Sequence, residues 1–98
     1  MSKQQTIERL REFLKDKPVL RAYLFGSYAR GDVEDGSDID ILVDLDYSCP
    51  IGMEFIQIHL DLEDLVGRKV DLVSSRALSK YVRPFVDREK ELFYEGRN

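Results

Sequence analysis

Asp38-Ile39-Asp40-Ile41-Leu42-Val43-Asp44-Leu45 alternates side-chain character along eight residues. Read with a period of two, Ile39, Ile41, Val43 and Leu45 share one face of a strand, while Asp38, Asp40, Leu42 and Asp44 share the other. One face is core, and the other carries two carboxylates two positions apart. Upstream, Val19-Leu20-Arg21-Ala22-Tyr23-Leu24-Phe25 reads as a buried strand that stops at Gly26-Ser27. Tyr28-Ala29-Arg30 then forms one short helical turn closed by Gly31, and Asp32 to Ser37 forms a polar loop. The link from Gly26 to Ser37 is too short for a full crossover helix, so the two strands are expected to be antiparallel.

Working outward, Ile7, Leu10, Phe13 and Leu14 fall at helical spacing from Ser2 to Lys15. Ser2 and Thr6 are candidate N-caps, and Asp16-Lys17-Pro18 is the stop. Beyond the acidic strand, Pro50 suits a first helical turn. Phe55, Ile58, Leu62, Leu65 and Val66 make an apolar stripe, and Gly67 is a good C-cap. That helix, about 50–66, is long enough for a parallel crossover into a third strand, Lys69-Val70-Asp71-Leu72-Val73. Ser74-Ser75 would then cap a helix carrying Leu78, Tyr81 and Val82, broken or kinked at Pro84, with Phe85-Val86 beginning another turn. Leu92-Phe93-Tyr94 fits either a helix tail or a short edge strand. The expected fold is α/β, a small mixed β-sheet flanked by helices, with residues 1–98 forming a single domain.

Composition bounds what such a domain does. With 98 residues, 43% apolar and 35% charged, the chain is globular in bulk. No uncharged run approaches the ~18 residues of a membrane span, and the charge alternation of Met1–Lys15 argues against a secretory leader. Cys49, the one cysteine, can form neither an internal disulfide nor a metal cluster, so a cytoplasmic address is expected. A net charge of −4 argues against direct duplex DNA binding, and no membrane contact is expected. The charge is unevenly spread: eleven Asp and Glu but no Lys or Arg lie between Arg30 and Arg68, where His59 is the only other ionisable base. A solvated acidic face accounts for most of them.

Asp38 and Asp40 are different. Two like charges on one strand face raise each other's pKa unless a cation sits between them, and Mg²⁺ prefers such hard oxygen ligands. A lone Asp-x-Asp is weak evidence, since surface strands often carry it. Asp71 adds to it, standing within the apolar Val70-Asp71-Leu72-Val73. If the third strand neighbours the second, three carboxylates converge, enough for two metal ions in phosphoryl or nucleotidyl transfer. Otherwise Asp71 is a strand-end or turn residue. Gly26-Ser27 supplies the other half: a strand ending there presents free N–H groups and a hydroxyl to phosphate, and Gly26 puts no Cβ in the way. By itself it reads as an ordinary strand-to-helix turn with Ser27 as N-cap.

Together, Gly26-Ser27, ten intervening residues and Asp38-Ile39-Asp40 resemble the signature of the DNA polymerase β-like nucleotidyltransferase superfamily, and most closely the minimal nucleotidyltransferases (MNT proteins). The likeness extends through Asp71 to the tail Asp87–Gly96. It implies a polymerase β-like nucleotidyltransferase core that transfers a nucleoside monophosphate from a nucleoside triphosphate to a hydroxyl. Gly26 and Ser27 would hold the triphosphate of ATP. Asp38 and Asp40 would ligate two Mg²⁺ ions, for which Mn²⁺ could substitute, and Asp71 would bind the ion that activates the attacking hydroxyl. In this branch the protein is commonly the antitoxin of a HEPN–MNT toxin–antitoxin pair, adding AMP to a tyrosine of the HEPN ribonuclease. Arg30 is a candidate nucleotide-binding residue that either neutralises phosphate or pairs with acids of the following loop.

Two other readings stand beside this one. A non-catalytic antitoxin could neutralise a basic partner by binding alone, but it need not retain the Gly-Ser turn and three acids. Transfer to a small molecule would ordinarily need an added substrate-binding domain. A homo-oligomer is left open.

Overall fold

The computed structural model describes residues 2–31 and 38–96; the expected polar loop from Asp32 to Ser37 lies outside them. Helix α1 (Lys3–Leu14) begins where the side chain of Ser2 can cap it. Ser2 Oγ accepts from the Gln5 N–H at 3.2 Å, and Gln5 Oε1 accepts from the Ser2 N–H at 3.0 Å, a reciprocal capping box. Ser2 is thus the cap, and Thr6 is buried in the first turn instead. Strand β1 (Val19–Phe25) runs directly into the one-turn helix α2 (Gly26–Arg30), followed by β2 (Ile39–Leu45). Helix α3 (Gly52–Val66) ends at Gly67, whose φ of 66° is the left-handed geometry that a C-cap requires. Pro50 lies just before this helix rather than in its first turn.

The four strands lie in the order β3-β2-β1-β4. β1 pairs antiparallel with β2, as the short link demands, while α3 carries the chain across to β3 (Val70–Ser74), which pairs parallel with β2. The sheet is therefore mixed, with helices against it. Ile39, Ile41, Val43 and Leu45 are all buried, packed in one core with Ile7, Leu10 and Leu14 of α1 and Ile58, Leu62 and Val66 of α3. Leu42 is also buried, although it alternates to the opposite face, against which the 3-10 turn Ser75–Ala77 packs.

The later part of the chain differs from expectation in two ways. No helix carries Leu78, Tyr81 and Val82. The 3-10 turn stops at Leu78, which is extended (φ −70°, ψ 130°), and Tyr81 and Val82 are exposed, so a helix there would have had no apolar face to bury. Pro84 does not break a helix but lies in the first turn of a new one, α4 (Arg83–Glu89), where its missing N–H costs no hydrogen bond. The tail resolves as an edge strand, β4 (Glu91–Glu95), antiparallel to β1 with Phe93 buried.

Candidate active site

The parallel register of β2 and β3 sets Asp40 directly beside Asp71, and the antiparallel register of β1 and β2 sets Phe25 on the other side of Asp40. Phe25 is the last residue of β1, so the chain turns at Gly26 against the same carboxylate. Gly26 has φ 71°, and a Cβ there would run into the Asp40 carboxylate. Glycine is required twice, for the backbone conformation and for the space. Asp38 lies one residue before β2, half-buried. Two strands and a turn thus gather Gly26, Asp40 and Asp71 on the face opposite the α1–α3 core, with Asp38 close enough to act on Asp40 through its charge.

Electrostatics record this crowding. The Asp40 carboxyl is raised from 3.8 to about 6. Burial is the largest cause, then the hydrogen bond with Asp71, the charge of Asp71 and the charge of Asp38; Arg30 opposes them. Folding therefore makes Asp40 hold its proton more tightly. Between about 4 and 6 the folded state binds more protons than the unfolded one, so this group makes stability fall as pH rises through that window. Thermal melts from pH 4 to 8 should show this fall in the wild type and a flatter profile in Asp40→Asn. Equal profiles would mean that Asp40 is not destabilised by its neighbours.

A divalent cation is the partner such a site suits. All three carboxylates offer hard oxygen donors, Asp40 needs counter-charge, and the missing Cβ of Gly26 leaves room beside it. Among the described residues, no three acidic, His or Cys side chains close around a common point, so the set is gathered along a strand pair rather than shaped into a finished cage.

The neighbouring residues tie the site down. Arg30 Nη1 pairs with Glu89 Oε1 at 2.9 Å, linking α2 to α4. Its expected partners in the 32–37 loop lie outside the described residues, as do Ser37 and the side chain of Ser27. Lys3 Nζ donates to the Ala29 carbonyl at 3.2 Å and pairs with Glu91 at 3.3 Å, holding α2 against the edge strand. Nothing in the sequence singles out Lys3. Asp44 is not the solvated acid its place on the strand suggests. Burial alone would raise its carboxyl, but hydrogen bonds from Ser75, Arg21 (2.9 Å) and Tyr23 (3.2 Å) together hold it below the usual range. Tyr28 is buried in the core and is a packing residue. His59 Nε2 meets the Val70 carbonyl at 2.6 Å, joining α3 to β3. An open cleft of about 370 Å³ between α1 and β4, lined by Arg11, Lys15 and residues 92–95, lies at the sheet edge away from β3 and holds none of these candidates.

The polymerase beta nucleotidyltransferase family profile matches residues 8–98. MJ1379 of Methanocaldococcus jannaschii, which carries a provisional protein adenylyltransferase name, is 36% identical over 93 residues, covering 92% of this chain and 91% of its own. Protein adenylyltransferase MntA of Thermococcus cleftensis is 42% identical over 66 residues, covering 67% of this chain and 66% of its own. Among solved structures, one of a toxin–antitoxin with AMP-PNP superposes with a TM-score of 0.72 at 25% identity, over 99% of this chain and 76% of the other. A complex of a tri-AMPylated Shewanella oneidensis HEPN toxin with an MNT antitoxin superposes with a TM-score of 0.73 over 97% and 74%. At 23% identity, that likeness bears on the fold alone.

Proposed function

The chain belongs to the polymerase β nucleotidyltransferase family, in its minimal branch, and from that premise we propose that it is a protein adenylyltransferase that moves AMP from ATP to a hydroxyl of a HEPN toxin and so acts as the antitoxin. Tyrosine is the acceptor we assign, and Mg²⁺ the required ion. The observation that supports this best is the strand register that sets Asp71 beside Asp40 while the turn at Gly26 closes against the same carboxylate.

In this reading Asp38, Asp40 and Asp71 would hold the cation, which when bound neutralises phosphate charge and makes the acceptor hydroxyl a better nucleophile. The chain's own residues do the positioning. Gly26 and Ser27 present backbone N–H groups to the triphosphate at the start of α2, and Gly26 allows the phosphate to approach the main chain. Asp71, exposed at the outer strand of the sheet, faces the side from which an acceptor would arrive. Arg30 reduces the negative charge around Asp40 while fastened to α4 through Glu89. The α-phosphorus takes a new bond to the acceptor oxygen as its bond to the α–β bridging oxygen breaks; pyrophosphate leaves, and the hydroxyl proton is released to solvent.

The test is isotopic. With a HEPN protein, Mg²⁺ and labelled ATP, label in the α-phosphate should pass to the partner and label in the γ-phosphate should not. Transfer of the γ-label alone would make the protein a kinase and overturn the assignment.

A further inference from the structure

Helix α3 turns Ile58, Leu62 and Val66 to the core and leaves Met53, Ile56 and Leu60 outside, 75%, 51% and 52% exposed. Those three follow one another at steps of three and four, so they form one seam along the outer side of the helix. Single exposed apolar residues need no explanation, whereas a continuous seam rimmed by polar groups marks a contact surface. The rim here has one sign. Glu54 and Asp64 are exposed, Asp61 and Glu63 are half-buried, and the helix contains no Lys or Arg. The seam is distinct from the candidate active site, because α3 packs on the Ile39–Ile41 face of the sheet and Asp40 alternates to the other.

We infer that the α3 seam docks an amphipathic helix of another protein, one whose apolar ridge is flanked by Lys and Arg. This rests on the reading above that the chain acts on a protein partner. Charge selects this occupant over a second copy. A two-fold pairing of α3 with itself would bring the acids of both rims together, and like charges facing across an interface are costly. The chain does carry a second exposed apolar set, Tyr81, Val82 and Phe85, near Lys80, Arg83 and Arg88. Joining that set to α3 of another copy would be head-to-tail, however, leaving one seam open on every assembly that does not close into a ring. A separate helix with a basic rim satisfies the seam once and stops.

The probe is a three-heptad helical peptide with Leu at a and d and Lys at e and g, compared with a twin bearing Glu at e and g. Fluorescence anisotropy should show the Lys peptide binding the full chain at least about tenfold more tightly than the Glu peptide, with the preference shrinking as salt is raised. Ile56→Glu/Leu60→Glu should weaken the Lys peptide at least about tenfold and leave ATP affinity and melting temperature unchanged. Glu54→Gln/Asp64→Asn should keep binding but lose most of the salt dependence. The inference is overturned if neither peptide binds, if both bind equally, if Ile56→Glu/Leu60→Glu binds like wild type, or if sedimentation shows self-association that this variant abolishes. Neither peptide offers a tyrosine, so these outcomes stand apart from any failure of AMP transfer.

Discussion

Asp38→Ala/Asp40→Ala should lose AMP transfer by at least about 10³-fold, and near neutral pH it should melt higher than the wild type. Both effects have one origin. Asp40 is pushed to about 6 because it is buried beside Asp71 and within reach of Asp38, so at neutral pH the fold holds an ionised carboxylate in a place that disfavours it. Removing the charge relieves the fold and disables the chemistry. Ordinary surface substitutions move neither quantity in this way. Mg²⁺ with ATP should raise the melting temperature of the wild type and leave that of the double variant nearly unchanged. A variant less stable than wild type that still transfers AMP would contradict the placement of both acids.

Gly26→Ala should be the second most damaging change for its size. Alanine at φ 71° carries a backbone cost of about 1–2 kcal/mol, and its methyl group meets the Asp40 carboxylate. Either the turn opens or Asp40 moves, and a displacement of about 1 Å at a reacting centre costs on the order of 10²-fold in rate. The expected result is a lower melting temperature together with about a 10²-fold fall in transfer. Gly31→Ala is the control. It also has positive φ (84°), but among the described residues nothing lies within 4 Å of its added Cβ, so it should pay the backbone cost and keep most of its activity. Equal activity losses in the two variants would mean that backbone strain, not contact with Asp40, explains the first.

The strand that carries Asp40 was legible because its alternation is strict, and the antiparallel partner followed from the shortness of the link after Phe25. The length of α3 made a parallel β3 legible, but whether β3 lies beside β2, and so whether Asp71 meets Asp40, depends on strand pairing that the spacing leaves open. What escaped the sequence depends on contacts between distant segments. Leu78, Tyr81 and Val82 keep helical spacing but find no core, so the spacing was not acted on. Pro84 can end one helix or begin another, and only the packing of Val86 decides which. Asp44 resembled its neighbours on the same strand face, yet Arg21, Tyr23 and Ser75 convert it into a structural anchor. Lys3, bonded to the Ala29 carbonyl of α2 across 26 residues of chain, left no local signal.

The stretch from Gly31 to Gly67 carries acids and no Lys or Arg, which suits an acceptor presented by a basic partner. Intact mass spectrometry of a HEPN partner incubated with the chain, ATP and Mg²⁺ tests this most directly. The partner should gain mass in whole AMP units, mutating its acceptor tyrosine to Phe should remove the gain, and Asp38→Ala/Asp40→Ala should bind the partner without adding mass. If the wild type silences the toxin with no added mass, and the double variant silences it equally well, the chain works by binding alone and the catalytic account is wrong.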